Sequence, residues 1–223
     1  MGTLTPVVLY EDNHIIAAVK PFGVLSQADH TGAPDMLALL KAYIKEKYQK
    51  PGDVFLGLVH RLDRPTGGVM VFARTSKGAS RISASIRNGS FKKIYHCVLK
   101  GKLSPASGAL THYLIKDEAR VMSFAVGSDV PGAKQARLEY NVLAEKDGLS
   151  LVSVRLLTGR HHQIRVQFAS EGCPVYGDRK YGGYSGNDEL ALWSYSISFP
   201  HPTKKETVTI TAPPESIYPF SLF

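Results

Sequence analysis

One stretch limits the folds open to this chain more than any other: His60-Arg61-Leu62-Asp63-Arg64-Pro65-Thr66-Gly67-Gly68. Before it lies Val54-Phe55-Leu56-Gly57-Leu58-Val59 and after it Val69-Met70-Val71-Phe72-Ala73. Both flanks are short apolar runs rich in β-branched and aromatic residues, which predicts two buried strands joined by a polar loop with a Pro-Thr-Gly-Gly turn signal. A carboxylate on such a loop is held by the scaffold yet exposed to a ligand, a good position for chemistry. The plain alternative is that Asp63 caps the turn or pairs with Arg61 or Arg64.

The rest of the chain reads as strands with few helices. Residues 7–10 and 15–19 form a strand pair around Glu11-Asp12-Asn13-His14. Met36, Leu37, Leu40, Tyr43, Ile44 and Tyr48 recur at helical spacing, with Pro34 in the first turn and Pro51-Gly52 beyond the end. Residues 76–88 read as a second helix, capped by Thr75 or Ser76, with Ile82 and Ile86 on its buried edge. Residues 91–99 follow as a strand with Phe91, Lys93, Tyr95, Cys97 and Leu99 on one face. Residues 101–137 alternate Gly, Ser and Pro clusters with short strands such as 111–115 and 121–126. Residues 137–144 and 149–157 pair around Lys146-Asp147-Gly148. The period then changes, and a helix from the Thr158-Gly159-Arg160 region to Gly172 fits. Residues 190–199 and 207–211 close the chain as strands. The expectation is one domain over residues 1–223, of α+β class, with a mixed, mostly antiparallel sheet flanked by a few helices and a central active-site cleft.

Charge narrows the partners. The net charge is +8, and no Asp or Glu occurs from Arg64 through Lys116, a block that holds ten Lys and Arg residues. A solvated basic face is the ordinary meaning of such a run, but a wholly acid-free block beside the central loop favours a polyanion. No apolar run is long enough to span a bilayer, and no basic amphipathic helix stands out for a membrane surface. The start, Met1 to Pro6, shows neither a secretory leader nor a myristoylation pattern. With Cys97 and Cys173 able to pair only once, the expected compartment is the cytoplasm. No His/Cys spacing matches a zinc site, and phosphate-binding Gly loops and a G-x-S-x-G elbow are absent.

Three separate elements each offer one reactive or orienting group: Asp63, Tyr95 and Arg165. An arginine near a carboxylate keeps it ionised and aimed, an aimed carboxylate is a usable nucleophile, and a tyrosine supplies a stacking face and a phenol. The residues around them resemble the RluA-type pseudouridine synthases. His60-Arg61-Leu62-Asp63 with Thr66 carries the resemblance, followed in order by Lys93-Ile94-Tyr95, Gly159-Arg160-His161-His162-Gln163-Ile164-Arg165, Gly177-Asp178, Tyr181-Gly182 and Phe199-Pro200-His201-Pro202. The family usually has Thr-Ser-Gly where this chain has Thr66-Gly67-Gly68, and Leu-His-Ala near Leu192-Trp193-Ser194. The S4-like RNA-binding extension of many relatives is not expected, since the pattern begins near residue 7.

The resemblance implies isomerisation of uridine to pseudouridine in structured ribosomal or transfer RNA stem-loops, with no cofactor, no metal and no obligatory protein partner. It implies Asp63 as nucleophile, at either the ribose C1′ or the uracil C6. Tyr95 would stack on the uracil and help move a proton, Arg165 would pair with Asp63, Ile164 would pack under the base, and Arg61 would fill the vacated stack. His60, Leu62, Arg64, Thr66, Lys93, Arg160, His161, His162 and Gln163 complete the expected RNA-binding set. His60 reads as a loop-orienting hydrogen bonder, and His161 or His162 as a phosphate or backbone contact. A non-catalytic RNA-binding module would have no use for the Asp63, Tyr95 and Arg165 set. A retaining glycosidase would need a second carboxylate, for which only Glu139, Glu145 or Asp178 could serve.

Overall fold

The computed structural model describes residues 5–214 and 216–223, so the reading of the first four residues lies outside the described part. In chain order the elements are β1 (Val7–Glu11), β2 (Ile15–Lys20), α1 (Met36–Lys47), β3 (Gly57–Leu58), β4 (Gly67–Ala73), α2 (Ser76–Arg87) and β5 (Lys92–Lys100). There follow β6 (Ser107–Asp117), β7 (Met122–Val126), β8 (Lys134–Lys146), β9 (Leu149–Leu156), α3 (Gln163–Ser170), β10 (Leu192–Pro200), β11 (Thr207–Thr211) and a closing 3-10 turn, Phe220–Leu222. They group into two compact units interleaved along the chain: residues 1–93 with 194–213, and 94–193 with 214–223. The class is α+β, with three α-helices and mostly antiparallel pairing among the described residues.

In the first unit the strand order is β1-β2-β4-β10-β11, with β3 also on β4. β4 is buried along its whole length, as expected of an apolar run covered on both faces. By the alternation of a strand, Val69, Val71 and Ala73 share a core with Ile15, Ala17, Ile82, Ile197 and Phe199. Met70 and Phe72, also fully buried, fall on the opposite face. Gly68 sits at φ +114°, and a Cβ there would lie 2.4–2.8 Å from backbone atoms of Ser194. That close approach of β10 explains why glycine is needed at this position.

Two expectations change here. The strand read over 54–59 shrinks to Gly57–Leu58, paired with Ala73 and Phe72. At the next rung the Val71 N–H goes to the His60 ring instead of a strand carbonyl, 3.0 Å away, so a side chain ends the ladder. The first helix starts at Met36 because Asp35, whose carboxylate accepts the Ala38 N–H, is its cap; Pro34 lies outside it.

The second unit runs β5-β9-β8-β6-β7. β8 and β9 turn through Asp147 (φ 52°) and Gly148 (φ 74°), the left-handed pair of a tight hairpin. β6 is much longer than the 111–115 segment expected, since every residue from Ser107 to Leu114 pairs with β8. α3 lies against β6 and β7 and is shorter than expected. It starts only at Gln163, because His162 is in the left-handed region (φ 53°) and breaks the helical run before it.

Candidate active site

In the first unit, Asp63 sits half-buried on a loop without regular structure that is fastened at several points. Lys20, fully buried, donates its ammonium to the carbonyls of Pro21 (3.0 Å), Val24 (2.6 Å) and Arg64 (3.0 Å). The Ser26 hydroxyl donates to the Leu62 carbonyl at 2.8 Å and accepts the Leu62 N–H at 3.0 Å. Arg64 Nε donates to the Gly23 carbonyl at 3.0 Å, and the Thr66 N–H closes a turn on the Asp63 carbonyl at 2.9 Å. Leu62 is buried, while Arg61 and Arg64 are exposed. Backbone carbonyls of an irregular loop need donors, and here buried side chains of preceding segments supply them.

His60 closes the loop from the other end. Its Nε2 accepts the Val71 N–H, so the ring proton is on Nδ1. Burial, reinforced by the charge of Lys93, pushes the imidazole down to about 3 and keeps it neutral. This matches the expected loop-orienting role. Burial also lowers the half-buried Lys93 ammonium. His60 Nδ1 and Thr66 Oγ1 are buried polar atoms with no hydrogen-bond partner among the described residues, a kind of exception that calls for explanation in a functional loop.

In the second unit, Tyr95 is buried on β5, on the same side as Cys97 and Leu99. α3 is buried nearly all round, from Gln163 to Phe168, and is no surface helix with one apolar stripe. Its polar side chains are therefore obliged to find partners inside the protein. Ile164 is buried among them. Arg165 finds Asp178, with Nε 2.7 Å from Oδ2 and Nη2 2.8 Å from Oδ1. Both residues are at most 4% exposed. Asp178 Oδ1 also accepts the N–H groups of Lys180 (2.9 Å) and Tyr181 (3.0 Å). The Arg165 guanidinium carbon stands 5.1 Å from the centroid of the Tyr181 ring.

Tyr181 continues the network. Its hydroxyl accepts the Ser123 N–H at 2.8 Å and lies within hydrogen-bond distance of His162 Nδ1, at 2.7 Å. Burial, then the charges of Arg165, His161, Lys180 and Lys116, push the His162 imidazole down to about 2 and keep it neutral. The His161 ring stacks on it at 3.7 Å, and its own Nδ1 is 2.9 Å from the Ser123 hydroxyl. Gln163 spends its amide on the protein: Oε1 accepts from Thr158 Oγ1 and the Arg160 N–H, and Nε2 donates to the Arg137 carbonyl. Arg160 Nε donates to the Gln135 carbonyl and is exposed.

The expected site residues thus fall into two preorganised groups, one in each unit. The first is the loop of His60, Arg61, Leu62, Asp63, Arg64 and Thr66 together with Lys93, and the second comprises Tyr95, Arg160, His161, His162, Gln163, Ile164 and Arg165. Sequence reasoning missed the roles of Lys20, Ser26, Asp178 and Tyr181. The available signal was the Gly177-Asp178 and Tyr181-Gly182 pattern, which marks positions without saying what they hold. The acid-free block is also less uniform than its sequence: Glu11 pairs with Arg74, Glu145 with Lys102 and Glu118 with Lys116.

Comparison with known proteins shows the family of the chain as a whole. A family model described as RNA pseudouridylate synthase matches residues 14–170. The chain is 34% identical over 210 residues to "Uncharacterized RNA pseudouridine synthase YhcT" of Bacillus subtilis, covering 92% of this chain and 68% of that protein. It is 30% identical over 224 residues to ribosomal large subunit pseudouridine synthase C of Vibrio parahaemolyticus, covering 97% and 68%. The chain therefore spans about two-thirds of the length of these relatives. Among solved structures, human RNA Pseudouridylate Synthase Domain Containing 4 has a similar fold, with a TM-score of 0.81 at 21% identity over 97% of this chain and 91% of that one.

Proposed function

Because the chain belongs to the RNA pseudouridylate synthase family and is an RNA pseudouridine synthase, we propose that it acts on a uridine in structured ribosomal or transfer RNA, with Asp63 as nucleophile. The observation that supports this most is the fastening of the Asp63 loop by Lys20, Ser26 and His60. A nucleophile gains most from an environment organised before the substrate arrives, and those side chains provide it. The family match runs across the boundary between the two units, which favours one catalytic domain over residues 1–223.

The target uridine leaves its stack at a cost of a few kcal/mol, least in loops and bulges, and Arg61 fills the gap. Asp63 then adds to C1′ or to C6. The N1–C1′ bond breaks, the C5–C1′ bond forms, the bond to Asp63 breaks and returns the free carboxylate, the C5 proton departs and N1 takes up a proton, so the uracil returns to the sugar through carbon with no net gain or loss of atoms. Tyr95 stacks on the uracil and assists the proton movement, Ile164 packs beneath it, and Arg165 keeps the Asp63 carboxylate ionised. Gln163 and His162 act by holding their neighbours, while Arg160, His161, Arg64 and Lys93 contact the RNA. The reaction as written needs no cofactor. No helix among the described residues is long and apolar enough to cross a membrane. In this proposal the enzyme acts in the cytoplasm without an obligatory protein partner, and the named ribosomal relatives favour ribosomal RNA.

The test is pseudouridine mapping of total RNA from cells with and without this protein, complemented by wild type or by Asp63→Asn. Loss of pseudouridine at specific positions, restored only by the wild type, is expected. In vitro, Asp63→Asn should lower turnover by about a thousandfold or more while RNA affinity stays within about threefold. Near-normal turnover by that variant would remove Asp63 from its role.

A further inference from the structure

The loop at residues 176–184 has two sets of partners within the second unit. Asp178 and Tyr181 hold Arg165. Tyr176 and Tyr184 instead join Tyr218, from the closing segment, in an aromatic ledge. The Tyr176 ring centroid lies 5.3 Å from that of Tyr184 and 5.4 Å from that of Tyr218, the latter edge-to-face at 78°. At the end of β5 the Lys100 ammonium stands 4.9 Å from the Tyr184 centroid and 5.7 Å from that of Tyr176. Asp188 accepts hydrogen bonds from the hydroxyls of both Tyr176 and Tyr184, which pins the two rings by their polar ends. Those bonds, from Tyr184 and then Tyr176, hold its carboxyl below the usual range.

Aromatic packing alone accounts for Tyr176, but it leaves Tyr218 48% exposed, edge-to-face with the Tyr176 ring that Lys100 faces. A fixed, half-open π-surface with an ammonium beside it is the combination that binds unpaired nucleotides: the ring takes the base and the cation takes the phosphate. The Asp188 carboxylate opposes this only in part, since two phenol donors already engage it. Arg179, exposed on the same loop and braced on the Gly186 carbonyl at 3.0 Å, adds a second cation. The ledge is continuous in sequence with the turn that aims Arg165, so a nucleotide seated on it would bear on the segment that shapes the site.

We propose that Tyr218, backed by Tyr176 and Tyr184, stacks an unpaired nucleotide that flanks the target uridine, with Lys100 against its phosphate. This rests on the reading of structured RNA as substrate. It adds a positioning subsite to which none of the expected site residues belongs. Unpaired flanks accompany a target that leaves its stack at least cost, and stacking tolerates any base, so the subsite favours loops over helices rather than one sequence.

The experiment titrates the full chain into RNA hairpins carrying 2-aminopurine at successive loop positions beside a uridine, reading fluorescence and affinity together with pseudouridine formation. Binding should quench one flanking position. Tyr218→Ala should remove that quenching and weaken binding about tenfold, while Tyr218→Phe and Tyr218→Trp keep both. Lys100→Gln should keep the quenching and lower the salt dependence of binding by about one phosphate contact. It also serves as the second variant should Tyr218→Ala be poorly folded. Wild-type protein that forms pseudouridine but shows no Tyr218-dependent quenching overturns the ledge alone. Tyr218-dependent quenching without pseudouridine formation overturns the proposed reaction and leaves the ledge standing. Failure to bind any hairpin overturns both.

Discussion

A guanidinium buried to 4% exposure is costly unless its hydrogen-bond fork and its flat face are both met. For Arg165, Asp178 meets the fork and Tyr181 the face, and Asp178 is itself fixed by two backbone N–H groups. The side chain assigned to tune Asp63 in the proposed reaction is therefore aimed by Asp178 and Tyr181. Asp178→Asn retains the shape but turns an amide NH2 toward the guanidinium and takes the Asp178 charge away from it. Unfolding should cost about 3–5 kcal/mol less. In the folded fraction, kcat should fall about a hundredfold with KM changed less than about threefold. Thermal melts with single-turnover kinetics check this, and normal kcat in folded protein would reduce Asp178 to a structural role. Asp63, Tyr95 and Arg165 were legible in the sequence because their types and order form a pattern. Asp178 and Tyr181 were visible as letters but not as partners, since the need for a counter-ion arises only once α3 is known to be buried.

Among elements, the turn between β1 and β2 is clamped to the loop between β10 and β11. Asp12 Oδ1 accepts the N–H groups of His14 (2.8 Å) and Ile15 (2.9 Å), and Oδ2 meets His201 Nε2 at 2.7 Å and the Tyr10 hydroxyl at 3.1 Å. His201 Nδ1 accepts the N–H groups of Thr203 and Lys204, which puts its proton on Nε2, facing Asp12. Burial pushes the Asp12 carboxyl up, but the bonds from His14, Ile15, His201 and Tyr10 outweigh it and leave it at about 2, below the ordinary 3.8. A carboxyl with a depressed native pKa stabilises the fold above its unfolded value and loses that contribution as pH falls through the native one. Asp12→Asn should therefore destabilise by about 2 kcal/mol at neutral pH, with the gap to wild type closing between about pH 4 and about pH 2. Chemical denaturation across that range checks it, and a gap independent of pH would count against the clamp. Apolar period and turn chemistry announced most elements here, including the hairpin at Asp147-Gly148. They failed where a side chain replaced a ladder bond, at His60, and where a left-handed residue delayed a helix, at His162.

At the level of the molecule, the acid-free block becomes a scattered set of charges. Arg74, Lys102 and Lys116 are paired with carboxylates, Arg81 is bonded to the Pro202 carbonyl and Lys93 is half-buried. Arg64, Lys77, Arg87 and Lys92 remain exposed, on the first unit. Each phosphate contact contributes about 0.7–0.9 to the slope of log affinity against log salt. Replacing Lys77, Arg87 and Lys92 together by Gln should lower the slope by about two to three, and Lys102→Gln by less than about 0.5. Anisotropy titrations across salt concentrations measure both, and equal effects would mean that the carboxylate pairing does not matter. Family, fold class and the candidate set of Asp63, Tyr95 and Arg165 were written in the order of letters, because local period, turn residues and motif spacing are properties of neighbours along the chain. The extent of burial of α3, the partners of Arg165, the carbonyls that hold Lys20 and the charges left for RNA were not. They depend on which distant segments pack together, and burial turns an ordinary polar side chain into one that must be matched.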